Sequence, residues 1–132
     1  TTIFRSYPNE NVAYMLPFFE GSVGKAERFF MNDGVNLYAK IMQVIENPNK
    51  MEETFDLADK AAKNDQVYAL IQELLLYYTL EKVKLDGMDE STRAEWLNFW
   101  DSTNKLFQDA QNLYLDKKSV ILETLLKAGK IK

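Results

Sequence analysis

The sequence predicts an all-α fold: a single-domain bundle of five to six helices with an irregular N-terminal arm. Three observations predict it. Apolar residues recur at steps of three, four and seven along most of the chain, the spacing of helices with one buried face. Capping residues and breakers fall between those stripes. No segment alternates apolar and polar residues long enough for a strand, and 5 Gly and 3 Pro in 132 residues are too few for a fold of many tight turns. At this length there is room for one core and little for a second. The division read from the chain is an arm over residues 1–21 and a helical bundle over 22–132.

The arm is dense in large apolar side chains: Ile3, Phe4, Tyr7, Met15, Leu16, Phe18 and Phe19. Pro8 and Pro17 bracket a short helical segment, Asn9 to Leu16. Pro17 is expected to end it, because the residue before a proline is pushed out of helical geometry. Ser22 to Glu46 follows with the stripe Val23, Ala26, Phe30, Leu37, Ile41 and Val44. Gly34 falls on its missing turn. With Asn32-Asp33 before it, this reads as one helix with a soft middle or as two helices, the second capped by Asn32 or Asp33, and two are favoured. Asn47-Pro48-Asn49 ends that run, and Asn49 with Glu52 resembles a capping box.

The next helix is expected to bury Met51, Phe55, Ala58 and Ala62 and to turn Glu52, Asp56 and Asp59 outward. Asn64-Asp65 ends it and caps its successor. From Gln66 to Leu85 the stripe Val67, Leu70, Ile71, Leu74 and Tyr78 is joined by Leu75, Leu76, Tyr77 and Leu80. A helix apolar on most sides belongs at the centre of a bundle. Asp86-Gly87 stops it. Thr92-x-x-Glu95 has capping-box spacing and opens the longest helix, with the stripe Leu97, Trp100, Phe107, Ala110 and Tyr114. Asp116-Lys117-Lys118 breaks the pattern. Ser119 is the expected cap of a last helix with Val120, Ile121, Leu122, Leu125 and Leu126, and Gly129 is its expected C-cap.

Composition excludes much chemistry. The chain has no Cys and no His, so disulfides, thiol nucleophiles, Cys/His zinc sites and Ser-His-Asp catalysis are ruled out. The nearest approach to a phosphate loop, Gly21-Ser22-Val23-Gly24-Lys25-Ala26, fails. Phe19 and Ala26 stand where the loop needs Gly and Ser/Thr. Glu20, Glu73, Glu81 and Glu95 are carboxylates of the kind a small hydrolase uses. The acidic stripe Glu52, Asp56 and Asp59 has no calcium-loop pattern. No cofactor or metal is expected, and the chain is read as a non-enzyme.

Charge is uneven. The net charge of −4 divides into zero over residues 1–50, −6 over 51–100 and +2 over 101–132. A basic face is the mark of nucleic-acid binders, so no nucleic acid is expected as a partner. The longest strongly apolar run, Leu74 to Tyr78, is far short of the ~20 residues that span a bilayer, so no membrane association is expected. The reading is of a cytoplasmic protein.

Aromatic residues, 13% of the chain, supply the functional expectation. Neighbours on a helix point apart, so pairs such as Phe18-Phe19 and Phe29-Phe30 reach two surfaces. Trp96 sits about 100° round the helix from Leu97 and is expected to be partly exposed. Trp, Tyr, Phe and Met are the side chains enriched at protein interfaces. The expected function is a helical protein–protein interaction module, a subunit, adaptor or inhibitor in a larger assembly, with a protein partner or self-association. Its candidate interface is Phe4, Tyr7, Phe18, Phe19 and Trp96 with the acidic residues Glu52, Asp56 and Asp59. The alternatives are a ligand-binding or sensory bundle with an aromatic-lined pocket and a small carboxylate-based enzyme.

Overall fold

The computed structural model describes residues 16–20 and 22–131. Seven helices and no strand occur among them: α1 (Leu16–Phe19), α2 (Val23–Met31), α3 (Gly34–Glu46), α4 (Met51–Lys63), α5 (Asp65–Val83), α6 (Glu90–Leu113) and α7 (Lys117–Gly129). The all-α bundle is as expected. The stretch Ser22–Glu46 is two helices, broken at Asn32-Asp33. One detail of the arm differs: Leu16, expected to be pushed out of helical geometry, is helical, and Pro17 lies in the first turn of α1. Proline fits there because first-turn amides have no partner within the helix. Residues 9–15 lie outside the described residues.

The helix ends have local causes. The Asn64 side chain accepts from the Gln66 and Val67 amides and caps α5. Ser22 accepts from the Lys25 amide and caps α2. At α7 the cap is Asp116, not Ser119; its carboxylate takes both the amide and the hydroxyl of Ser119. Those bonds hold the Asp116 carboxyl below its usual pKa. The two expected capping boxes are not used. The helix expected to start at Thr92 begins at Glu90, and α4 begins after Lys50, neither with a side-chain cap. Gly129 is the last residue of α7 rather than a residue beyond it. Arg93 closes the other end of α5: its guanidinium donates to the carbonyls of Val83, Leu85 and Met88.

Central α5 packs against α2, α3, α4 and α6. Leu70, Ile71, Leu74 and Leu75 are fully buried, as the all-round apolar pattern predicts. On two flanking helices Ala58, Phe107 and Ala110 are buried as expected, but the rest of the buried face lies about one residue from expectation, roughly 100°. On α4 the buried face is Thr54, Leu57, Ala58 and Ala61, leaving Met51, Phe55 and Ala62 exposed. Small side chains on this face, matched by Thr124 and Ala128 on α7, let those two helices lie close. On α6 the buried face is Trp96, Phe99, Thr103, Phe107 and Ala110. Leu97 and Tyr114 are outside. Val23, expected to be buried on α2, is exposed as well.

Gly34 is more than a turn residue. A Cβ placed on it would lie 2.2 Å from Cδ2 of the fully buried Phe29. The first turn of α3 therefore rests directly on that ring. Gly34→Ala should cost about 1–3 kcal/mol, the usual range for overpacking a filled core. Urea unfolding checks it; an unchanged midpoint would mean the ring moves freely.

Candidate functional site

The structure separates the expected interface residues into three groups. Phe4 and Tyr7 lie outside the described residues. Phe18 and Phe19 are buried in the chain's own core: Phe18 meets Phe29 and Tyr77, and Phe19 meets Phe29 and Phe30, at ring separations of 5.3 to 5.9 Å. Trp96 corrects the expectation of partial exposure. It is 4% exposed, edge-on to Tyr78 at 5.9 Å and to Phe99 at 5.8 Å. The turn of α6 that buries it sends Leu97 outward instead.

The acidic residues do reach the surface. Glu52, Glu53, Asp56 and Asp59 surround the exposed ring of Phe55 on the outer face of α4. Asp56 pairs with Lys60 at 3.5 Å, and Asp59 pairs with Lys118 of α7 at 2.8 Å. The Lys118 ammonium holds the Asp59 carboxyl below its usual pKa. Lys118 also lies 6.0 Å from the Phe55 ring centre. Among the described residues, no group of three or more carboxylates forms a metal site. Of the carboxylates considered for catalysis, Glu73 is tied to Arg28 and Glu81 to Lys84.

The feature that sequence reasoning missed is the corner between α6 and α7. Leu113 is 67% exposed and Tyr114 93%, and Leu115 next to them is exposed too. Tyr114 has φ 53° and ψ 43°, a left-handed conformation. The amides of Tyr114 and Leu115 both donate to the Ala110 carbonyl, closing the helix in the way that usually calls for glycine. A tyrosine here carries a Cβ penalty that glycine would not. A groove of about 530 Å³ between α5 and α6 opens beside it, walled by Tyr68, Gln72, Phe107 and Gln111. Lys117, on the same wall, pairs with Asp65 and lies 5.4 Å from the Tyr68 ring centre. The first turn of α7 thus links the corner, through Lys117, to the acidic face of α4, through Lys118. The only sequence signal was three apolar residues immediately before the Asp116 cap.

The opposite end of α5 carries an open cleft of about 690 Å³, lined by Tyr78, Trp96, Glu46, Lys82 and the Asp86–Asp89 turn. Lys82 lies 5.3 Å from the Tyr78 ring centre, and the Tyr78 hydroxyl donates to Glu46 at 3.4 Å. Burial, with the Glu46 charge beside it, pushes the Tyr78 hydroxyl pKa well up. Both rings are nearly covered, so they give the cleft little accessible aromatic wall.

Comparison with family models, curated proteins and solved structures finds no match to this chain. No helix among the described residues is long and apolar enough to cross a membrane.

Proposed function

We propose that this chain is a non-enzymatic helical interaction module, a subunit, adaptor or inhibitor in a larger assembly. The partner surface is the Leu113–Leu115 corner with its groove, flanked by the acidic face around Phe55. One observation carries the reading: an almost fully exposed tyrosine is held in a strained backbone conformation between two exposed leucines. Strain at an exposed residue with no packing role is a pointer to function. Exposed apolar side chains beside a groove, with charge at the edge, have the make-up of a protein interface. The partner that fits inserts an apolar side chain beside Tyr114 and sets basic residues against Glu52, Glu53 and Asp56.

Stability and binding should respond in opposite directions to one substitution. Tyr114→Gly removes the left-handed penalty and an exposed ring, so it should stabilise the isolated chain by about 1 kcal/mol. It should also remove the anchor. The check pairs urea unfolding with a photo-crosslinking residue at position 111, on the groove wall, used in the native source. A discrete adduct, with a partner or a second copy, that disappears in Tyr114→Gly supports the reading. An adduct that survives the substitution, or no adduct in either chain, refutes it.

A further inference from the structure

We propose that the cavity where the α2–α3 turn meets the end of α4 binds a compact phosphate anion: inorganic phosphate, diphosphate or the phosphate end of a small organic molecule. The cavity holds about 380 Å³. Three ammonium groups line it: Lys40 from α3, and Lys60 and Lys63 from the last turn of α4. Asn32, Asn36 and Asn64 are on the wall as well; each is engaged within the chain, Asn32 Nδ2 donating to the Arg28 carbonyl at 2.9 Å and Asn64 Oδ1 accepting from the Gln66 and Val67 amides. One carboxylate is on the wall, Asp33, and its Oδ2 accepts from Asn36 at 2.7 Å. Just outside, Asp56 pairs with Lys60.

Lys60 and Lys63 have an ordinary role, since cations in a last turn offset the carbonyl end of a helix. Lys40 has no such role. It sits in the middle of α3, and among the described residues no carboxylate lies within ion-pair distance of it. The neighbouring Lys60 ammonium pushes the Lys40 pKa down, by contact and by charge, with burial adding to it; the Asp56 and Asp33 charges oppose this without reversing it. Two like charges held side by side repel; an anion placed between them turns that repulsion into attraction to both. α3 also starts at this wall with no side-chain cap, and a helix start favours negative charge. Phosphate suits the site because it offers several acceptor oxygens to several donors at once. The volume is at the small end for ligand pockets, which favours a small molecule over a polymer.

The test titrates the full chain with inorganic phosphate, pyrophosphate, a nucleoside diphosphate, citrate and a phosphoserine peptide, followed by amide NMR. Saturable shifts confined to residues 32–40 and 60–67, with pyrophosphate tighter than citrate, are expected. A nucleoside diphosphate tighter than pyrophosphate identifies an organic ligand, and equal binding identifies the inorganic ion. Lys40→Gln and Lys60→Gln should each weaken pyrophosphate by about tenfold or more. Lys105→Gln, an exposed lysine outside this cavity, should leave it unchanged. Lys40→Gln relieves the repulsion from Lys60, so without anion it should melt no lower than the parent; its lost binding is then not lost folding. Unsaturable or chain-wide shifts, citrate as tight as pyrophosphate, or unaltered binding in both variants would overturn the proposal. A phosphopeptide far tighter than free phosphate would overturn the small-molecule assignment.

Discussion

Phe29→Ala should cost about 3–5 kcal/mol, the range for removing a fully buried phenylalanine. Phe29 is fully buried and three rings surround it: Phe18, Phe19 and Phe30 at 5.1 to 5.9 Å. Its ring also covers Gly34, so truncation opens a cavity bounded by α1, α2 and α3 together. The loss is read from the urea midpoint at constant slope. Coupling to Gly34 gives a sharper check. With the ring gone, Gly34→Ala loses the atom it strikes, so the double variant should be more stable than the two single losses added together. Simple additivity would show that the ring does not rest on Gly34.

Leu74→Ala is the second large effect, at about 2–5 kcal/mol. Leu74 lies halfway along α5, fully buried, in the helix that packs against α2, α3, α4 and α6. A cavity at that point has walls from several helices, and no single helix can shift to close it. A measured loss below about 1 kcal/mol would place Leu74 at the surface and remove α5 from the centre.

These two sites differ in how far the sequence foretold them. The central position of α5 was legible because Leu76, Tyr77 and Leu80 extend the apolar surface onto faces beyond the stripe of Leu70, Ile71, Leu74 and Tyr78. The Asn64 cap was legible because a short polar acceptor ahead of a helix has few other roles. Rotational phase was not. Trp96 and Leu97 are both apolar, and only the fit of the indole against Tyr78 and Phe99 decides which one turns inward. Phe55 gave way to Leu57 because α7 approaches α4 over small side chains. Phe18 and Phe19 were recognisable as residues that must be buried, but a sequence does not say against what. Their partners Phe29, Phe30 and Tyr77 lie on other helices. Tyr114 was hidden because the left-handed position that ends α6 holds neither glycine nor asparagine. The lysine cavity was hidden because Lys40 and Lys60 are brought together only by the packing of α3 on α4.

The packing of α7 has a consequence for how the chain acquires its shape. Most helix pairs here are neighbours in sequence and form by closing a short turn. α7 also packs against α3 and α4, with α5 and α6 between them along the chain. That closure comes at a larger loop-entropy cost, and long-range contacts of this kind slow folding. Closure of α7 onto α3 and α4 is therefore the expected slow step of folding. During synthesis, the small-residue face of Thr54, Ala58 and Ala61 stays wet until Lys117–Gly129 has left the ribosome.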